Sequence, residues 1–311
     1  MTRWLVTGGT GFLGTHLLKA LEPRGDEVIA LGRRAVTPAP SARFHEADLD
    51  DPVRVRAAIA EIRPTIVLHA AGRTPPADAY DLYRGNTMAT VHLLDALRAL
   101  DQPVRVVLAG SAAELGPVPC EHLPVAEDYP CRPADAYGLS KFLATSAGLA
   151  ARPPLEVLVA RVFNPIGPGL PATQAFGRFA ERLCAGESDP LTMTVGDLDA
   201  RRDFIDIRDV ARAFLALADR GRPGLVYHVG TGGSRRVGDG LDELIRLSGR
   251  AVRVVMSPAL AGRGGPSDSR ADIGRIVAHT GWQPQVAFER SLAELFVGGV
   301  EHNGAFHGPY E

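Results

Sequence analysis

The 311-residue chain predicts an α/β fold, a doubly wound parallel sheet with a smaller α/β lobe. Three observations predict it. Short apolar runs alternate with amphipathic stretches through the first half, and a glycine-rich turn closes the first run. One run, Val104–Ala109, is hydrophobic almost throughout, as a strand buried on both faces must be. The strand candidates are Trp4–Thr7, Glu27–Leu31, Ile66–Ala70, Val104–Ala109 and Glu156–Ala160. Between them lie helix candidates at Phe12–Leu21, Pro52–Ile62, Asp81–Leu100 and Ala136–Ala150. Past Phe163 the texture changes: Pro165, Gly167, Pro168, Gly169 and Pro171 make a loop-rich exit, and a helix candidate follows at Gln174–Cys184. Asp206–Asp219 reads as helix and Val226–Val229 as strand, so the chain is expected to return to the sheet there. The expected division is therefore 1–165 with 201–230 as one domain, and 166–200 with 231–311 as a second lobe.

Composition excludes several function classes. Apolar content of 45% and charged content of 23% are ordinary for a globular protein. A formal net charge of -2 gives no footprint for nucleic acid or an anionic membrane. No apolar run approaches the ~20 residues that span a bilayer. The N-terminus leads directly into a strand without signal-peptide architecture. Cys120, Cys131 and Cys184 show no metal spacing, so no metal is expected. Cys120 and Cys131 could pair in an oxidising compartment, but free thiols and a cytoplasmic protein are the expectation.

Gly8-Gly9-Thr10-Gly11-Phe12-Leu13-Gly14 follows a strand and opens a helix, the Rossmann-type context for a dinucleotide. The spacing of Gly8, Gly11 and Gly14 lets backbone amides approach a pyrophosphate at a positive helix N-terminus. The end of the second strand selects the dinucleotide. A carboxylate about 20 positions on would accept the adenosine ribose hydroxyls of NAD. Here Leu31-Gly32-Arg33-Arg34 offers two guanidinium groups instead, which suit the 2′-phosphate of NADP. NADP is expected, with NAD as the alternative. Asp48 and Leu49, after Phe44–Ala47, are expected at the adenine edge. Ala70-Ala71-Gly72 would let the cofactor lie close to the end of the fourth strand.

Only two of the 34 basic residues are lysines, and one of them, Lys141, stands one helical turn beyond Tyr137. In a chain that otherwise uses arginine, a surviving lysine points to work that a planar guanidinium cannot do. At i, i+4 the two side chains share a helix face, so the ammonium favours a phenolate. Ser111 follows the strand Val104–Gly110, where ligands bind in such sheets. A phenol titrating near 10 can protonate an alkoxide as hydride arrives, with Ser111 holding the carbonyl.

With these motifs the chain resembles the extended short-chain dehydrogenase/reductase family acting on nucleotide sugars. The likeness rests on the glycine loop, on Asn86 in Gly-Asn-Thr-Met-Ala-Thr, and on Ser111 and Tyr137-x-x-x-Lys141. It extends through Ala160-Arg-Val-Phe-Asn-Pro-Ile-Gly-Pro-Gly169, Val195-Gly-Asp-Leu-Asp-Ala-Arg-Arg-Asp-Phe-Ile-Asp-Ile207 and Thr280-Gly-Trp-Gln-Pro284. Within the family it is most similar to the GDP-4-keto-6-deoxymannose reductases. The resemblance implies that Asn86 and Val162 line the cofactor and that Thr74, Ala112 and Asn164 line the substrate. It further implies that Arg202 contacts the nucleotide diphosphate, with Arg270 or Arg263 as a second contact. Asp203 and Asp206 are competing partners for Arg202, and Arg201 is an equally spaced rival.

Departures narrow the reaction. Dehydratases of this family place an acid pair after the active-site hydroxyl, and here those positions are Ala112 and Ala113. Glu114 comes one residue later and, on an extended segment, would face the wrong way. Leu115, Pro165 and Leu170 also depart from the usual signature, on the substrate side. The leading expectation is an NADPH-dependent 4-ketoreductase on a nucleotide-linked 4-keto-6-deoxyhexose. The alternatives are a C4 epimerase that retains NAD and a non-catalytic dinucleotide sensor. The alanine- and leucine-rich helices Thr87–Leu100 and Tyr137–Ala150 predict a homodimer through a four-helix bundle.

Overall fold

The computed structural model describes residues 2–33, 42–185, 190–257 and 267–305, with side chains as far as 298. Arg34 and Arg263 lie outside the described residues.

Seven parallel strands form the main sheet. In chain order they are β1 (Arg3–Thr7), β2 (Glu27–Gly32), β3 (Arg43–Glu46), β4 (Ile66–His69), β5 (Val104–Ser111), β6 (Leu155–Val162) and, after four strands of smaller pairings, β11 (Val226–Val229). Across the sheet they run β11-β6-β5-β4-β1-β2-β3. The order reverses between β1 and β4, so the crevice beyond their carboxyl ends is the switch point where ligands sit in such sheets. β5 is buried on both faces, with Val104, Val106 and Val107 fully enclosed, which is why its sequence shows no alternation.

One face of the sheet is covered by α1 (Phe12–Leu21) and α7 (Ile207–Arg220), whose Leu17, Leu18, Leu21, Phe214 and Leu217 are buried against it. The other face carries α2 (Pro52–Ile62), α4 (Ala89–Arg98) and α5 (Ala136–Leu149). α2 starts where Asp51 accepts hydrogen bonds from the amides of Val53 and Arg54, ahead of a proline that needs no partner. The helix predicted over 81–100 begins earlier, as α3 (Ala79–Leu82), and widens into a π-helical stretch at Tyr83–Met88 before α4. β3 is absent from the predicted strands because it is a four-residue edge strand with both end side chains exposed. Such a strand carries little apolar signal.

Three two-stranded pairings lie outside the main sheet. β7 (Asn164–Ile166) pairs with β10 (Phe204–Asp206), β8 (Leu191–Val195) with β13 (Val252–Met256), and β9 (Arg201–Arg202) with β12 (Arg235–Arg236). With α6 (Ala175–Ala185), α8 (Val237–Ser248) and the helix Phe288–Ala305 they enclose a separate core around Phe176, Phe179, Met193, Leu241 and Leu292. The helix predicted at 174–184 is displaced by one residue. Cys120, Cys131 and Cys184 are free thiols, so the possible Cys120–Cys131 pairing does not form.

Candidate active site

Ser111 is the last residue of β5, one position inside the strand rather than just after it. The backbone then turns into a 3-10 helix over Ala112–Glu114, closed by a reciprocal cap. Ala113 N–H donates to Ser111 Oγ at 3.2 Å, and Ser111 N–H donates to the Glu114 carboxylate at 2.7 Å. The expectation that Glu114 follows an extended segment is therefore incorrect. Its side chain turns inward because the backbone coils, and it is fully buried.

Tyr137 is the second residue of α5, whose first turn is capped by Asp135 accepting from the Gly138 amide at 2.7 Å. A Cβ at Gly138 would collide with the Ala113 carbonyl, so only glycine lets the helix start abut the Ser111 turn. That approach brings Tyr137 to the Ser111 turn. Burial pushes the Tyr137 phenol above its ordinary range, and the Ser111 side chain works against that shift. Lys141 sits one turn on and is almost entirely buried. Burial lowers the pKa of its ammonium while the Glu114 carboxylate raises it.

Across the switch point a groove runs beyond β1 and β4, lined by Gly8, Thr10, Gly11, Ala70, Ala71 and Gly72, with Gly32, Arg33, Asp48 and Leu49 at one end. Its fit to a dinucleotide is visible in the backbone. Gly8 has φ +70°, and a Cβ there would lie 2.7 Å from the Ala71 backbone; at Gly14 it would collide with the Gly8 carbonyl. Gly11 caps α1 without any side-chain bond, and the first turn, which includes Phe12 and Leu13, holds no acid. The helix N-terminus is thereby left electropositive for phosphate.

Asn86 is buried rather than open to the groove. Its Oδ1 accepts from Arg73 N–H at 2.7 Å, and its Nδ2 donates to the Arg73 carbonyl and to Ser140 Oγ. It locks α5 to the segment after β4. Val162 ends β6 opposite Ser111 in register and is buried.

On the substrate side, Thr74 is exposed in the loop after β4, and Ala112 is half-buried beside Ser111. Asn164 opens β7, its amide nitrogens donating to the Asp203 carbonyl. Arg202 does not pair with Asp203 or Asp206. The Asp203 carboxylate accepts from the amides of Thr231, Gly232 and Ala271, and Asp206 pairs with Arg208 and Ser291. Arg202 is the more buried of the two rivals; desolvation lowers its pKa, opposed by Asp197 and Asp268. Arg201 is exposed and donates to the Ser234 carbonyl at 3.0 Å. Arg270 is half-buried, and its buried Nε has no hydrogen-bond partner among the described residues. An arginine held half out of water with open donors suits a diphosphate.

Two buried clusters escaped the sequence reading. Glu114 pairs with Arg161 at 2.9 Å, and Arg161 also faces His228 and Cys131. A cation in the middle of an apolar strand needs a buried acid, and that was the available signal. The second cluster centres on His69, whose Nδ1 lies 2.6 Å from Thr7 Oγ1 and Nε2 3.0 Å from Thr90 Oγ1. Thr90 donates to the Asn86 carbonyl, so its oxygen accepts from Nε2–H, leaving Nδ1 to accept from Thr7. The ring is neutral, with its pKa lowered by burial to about 3. No group of three or more potential metal ligands occurs among the described residues. No helix among them is long and apolar enough to cross a membrane.

Comparison with known proteins agrees with this geometry. Residues 4–230 match the NAD dependent epimerase/dehydratase family. The dTDP-6-deoxy-L-talose 4-dehydrogenase (NAD(P)(+)) of Kitasatospora kifunensis is 32% identical over 304 residues, covering 94% of each chain. The GDP-6-deoxy-D-mannose reductase of Pseudomonas aeruginosa is 31% identical over 306 residues, covering 94% of this chain and 95% of its own. Among solved structures, RMD from Pseudomonas aeruginosa complexed with NADPH superposes with a TM-score of 0.82 at 28% identity, covering 97% of this chain and 100% of its own. The UDP-glucose 4-epimerase of Thermus thermophilus in complex with NAD gives 0.84 at 29% identity, covering 98% and 100%.

Proposed function

Because this chain belongs to the NAD dependent epimerase/dehydratase family, we propose that it reduces the 4-keto group of a nucleoside-diphosphate-linked 4-keto-6-deoxyhexose with NADPH. The coarser activity, modification of a nucleotide sugar with a nicotinamide cofactor, rests on relatives of that kind along nearly the whole chain. The finer reading is carried by one observation: Gly138 lets the start of α5 abut the turn after Ser111, which brings Tyr137, one turn before Lys141, to the end of β5.

NADPH held along the groove at Gly8, Thr10, Gly11 and Arg33 would supply a hydride to the keto carbon. Ser111 holds the carbonyl oxygen, and Tyr137 transfers its hydroxyl proton to that oxygen as negative charge develops. Lys141 stabilises the phenolate until solvent restores its proton, and binds the nicotinamide ribose. Arg202 and Arg270 anchor the diphosphate, and Asn164 orients the sugar. Binding energy from the nucleotide is thereby used to align the reacting carbon. Ala112 and Ala113 bring no carboxylate to the sugar, and both Glu114 oxygens are engaged beneath Ser111, so dehydration lacks its proton carriers.

NADP is favoured by Arg33 at the adenosine end of the groove, where the end of β2 offers no carboxylate. The GDP-linked sugar is favoured over the dTDP-linked one by the reductase signature in residues 160–169 and 195–207. A second copy is proposed to pack on α4 and α5; Tyr80 in α3, Met88 just before α4 and Leu143 in α5 are exposed at 69%, 46% and 40%. Free thiols fit a cytoplasmic setting.

Purified protein is expected to oxidise NADPH when given a nucleotide 4-keto-6-deoxy sugar. Failure with the GDP-, dTDP-, CDP- and UDP-linked forms would overturn the reading. The second reading, C4 epimerisation, is favoured by the likeness to a UDP-glucose 4-epimerase in complex with NAD. Stoichiometric NAD retained through purification, with no net NADPH consumption, would select it.

A further inference from the structure

We propose that Glu114 is a positioning residue for proton transfer: its buried carboxylate fixes Ser111 against the helix that carries Tyr137 and Lys141, and sets a negative charge within that unit. The proposal rests on the reading of Tyr137 as proton donor.

Glu114 is 0% exposed, and both its oxygens are occupied. Oε1 accepts from Ser111 N–H at 2.7 Å and from Thr145 Oγ1 at 3.1 Å. Oε2 accepts from Arg161 Nε at 3.1 Å and Nη2 at 2.9 Å. The donors come from β5, from α5 one turn beyond Lys141, and from β6. One carboxylate thus ties together the elements that carry Ser111, Tyr137 and Lys141. The room it uses is made by Gly110, where a Cβ would lie 2.8 Å from Oε1.

The charge around this unit is asymmetric. Arg161 Nη1 faces His228 Nε2 at 3.3 Å, and Nη2 faces Cys131 Sγ at 3.2 Å. His228 Nδ1 is 3.1 Å from the Val125 carbonyl, which can only accept, so the ring is neutral and offers Nε2 to Arg161. Glu127 accepts from His228 N–H and pairs with Arg275. Of the Glu114–Arg161 pair it is the carboxylate that takes the Ser111 amide and the Thr145 hydroxyl, whereas the guanidinium is turned to His228 and Cys131. A second acid, Asp135, also acts on Tyr137, while among the described residues Glu114 is the acid that acts on Lys141. A nearby negative charge makes a phenol harder to ionise and an ammonium harder to deprotonate. Both effects run in the direction seen for Glu114 on each group.

The test follows Tyr137 ionisation directly by phenolate absorbance, as the difference between each protein and its Tyr137→Phe counterpart. No sugar is present, so an error in the substrate assignment leaves the result intact. Glu114→Gln is expected to lower the midpoint by about one pH unit. Glu114→Asp keeps the charge and loses the reach, so its midpoint should stay in place. With the keto-sugar substrate its kcat should fall about 10- to 100-fold at nearly constant KM. If Glu114→Gln does not fold, the pair Glu114→Gln/Arg161→Gln removes both formal charges and should still titrate below wild type, by a smaller margin. A purely structural Glu114 would lower stability and leave the midpoint unmoved. An unmoved midpoint in either Gln variant overturns the charge role, and full kcat in Glu114→Asp overturns the positioning role. Shifted midpoints in a protein that reduces no keto sugar would discard the substrate reading and keep this one.

Discussion

Glu114 and Arg161 form an ion pair at 2.9 Å, with side chains 0% and 3% exposed, between the end of β5 and β6. Removing one partner leaves an uncompensated buried charge, whereas removing both does not. Arg161→Met alone is expected to cost about 3–5 kcal/mol, and Glu114→Leu/Arg161→Met to recover most of it. Urea unfolding of the three proteins checks this, and equal losses in single and double variants would refute the pairing energetics.

Tyr137→Phe removes the proposed proton donor and leaves Ser111, Lys141 and the groove in place. The expected result is a fall in kcat of about 10²- to 10⁴-fold with a small change in KM. Steady-state kinetics against the keto-sugar substrate reads it directly, and near-normal turnover would place the chemistry elsewhere.

Arg202 is the proposed diphosphate contact, and Arg201 is its exposed neighbour. Arg202→Gln should weaken binding of a nucleoside diphosphate by about 1.5–3 kcal/mol, the worth of a hydrogen bond to a charged group. Arg201→Gln should leave it nearly unchanged. Calorimetry on both variants decides between them, and a reversed order would exchange their roles.

Arg33 is the described cation at the adenosine end of the groove. Arg33→Ser is expected to reduce the preference for NADPH over NADH by about tenfold, one charge-assisted contact to a phosphate. The ratio of kcat/KM for the two cofactors measures it. An unchanged ratio would transfer the discrimination to Arg34 or cancel it.

His69 gives stability a pH dependence whose sign is determined. Unfolded, it titrates near 6.5, whereas burial lowers it to about 3 in the fold. Between these values the unfolded chain holds a proton that the folded chain does not. Stability is therefore full above about pH 6.5 and falls toward pH 3, by about 1.4 kcal/mol per pH unit. His228, also lowered by burial to about 3, acts the same way. On going from pH 7 to pH 5, wild type should lose about 2 kcal/mol more than His69→Gln. Equal losses would mean that His69 is not held neutral.

Read alone, the chain of residues settles the alternation of strands and helices, the glycine turn, and the spacing of Tyr137 to Lys141. Each is local: a period of two or 3.6 residues, a backbone conformation, or one turn of one helix. The helices Phe12–Leu21 and Pro52–Ile62 stand where the periodicity places them, because their apolar stripes and flanking caps lie within a single segment. What meets across elements is settled by packing. Asp203 is legible as a candidate partner for Arg202, yet backbone amides from residues 231, 232 and 271 claim its carboxylate first. Glu114 is hidden from a linear reading because the coiled turn after Ser111 carries its side chain into the interior, where it meets Arg161, 47 residues away. Burial sets which charges must find partners, and burial is a property of the packed chain rather than of any segment of it.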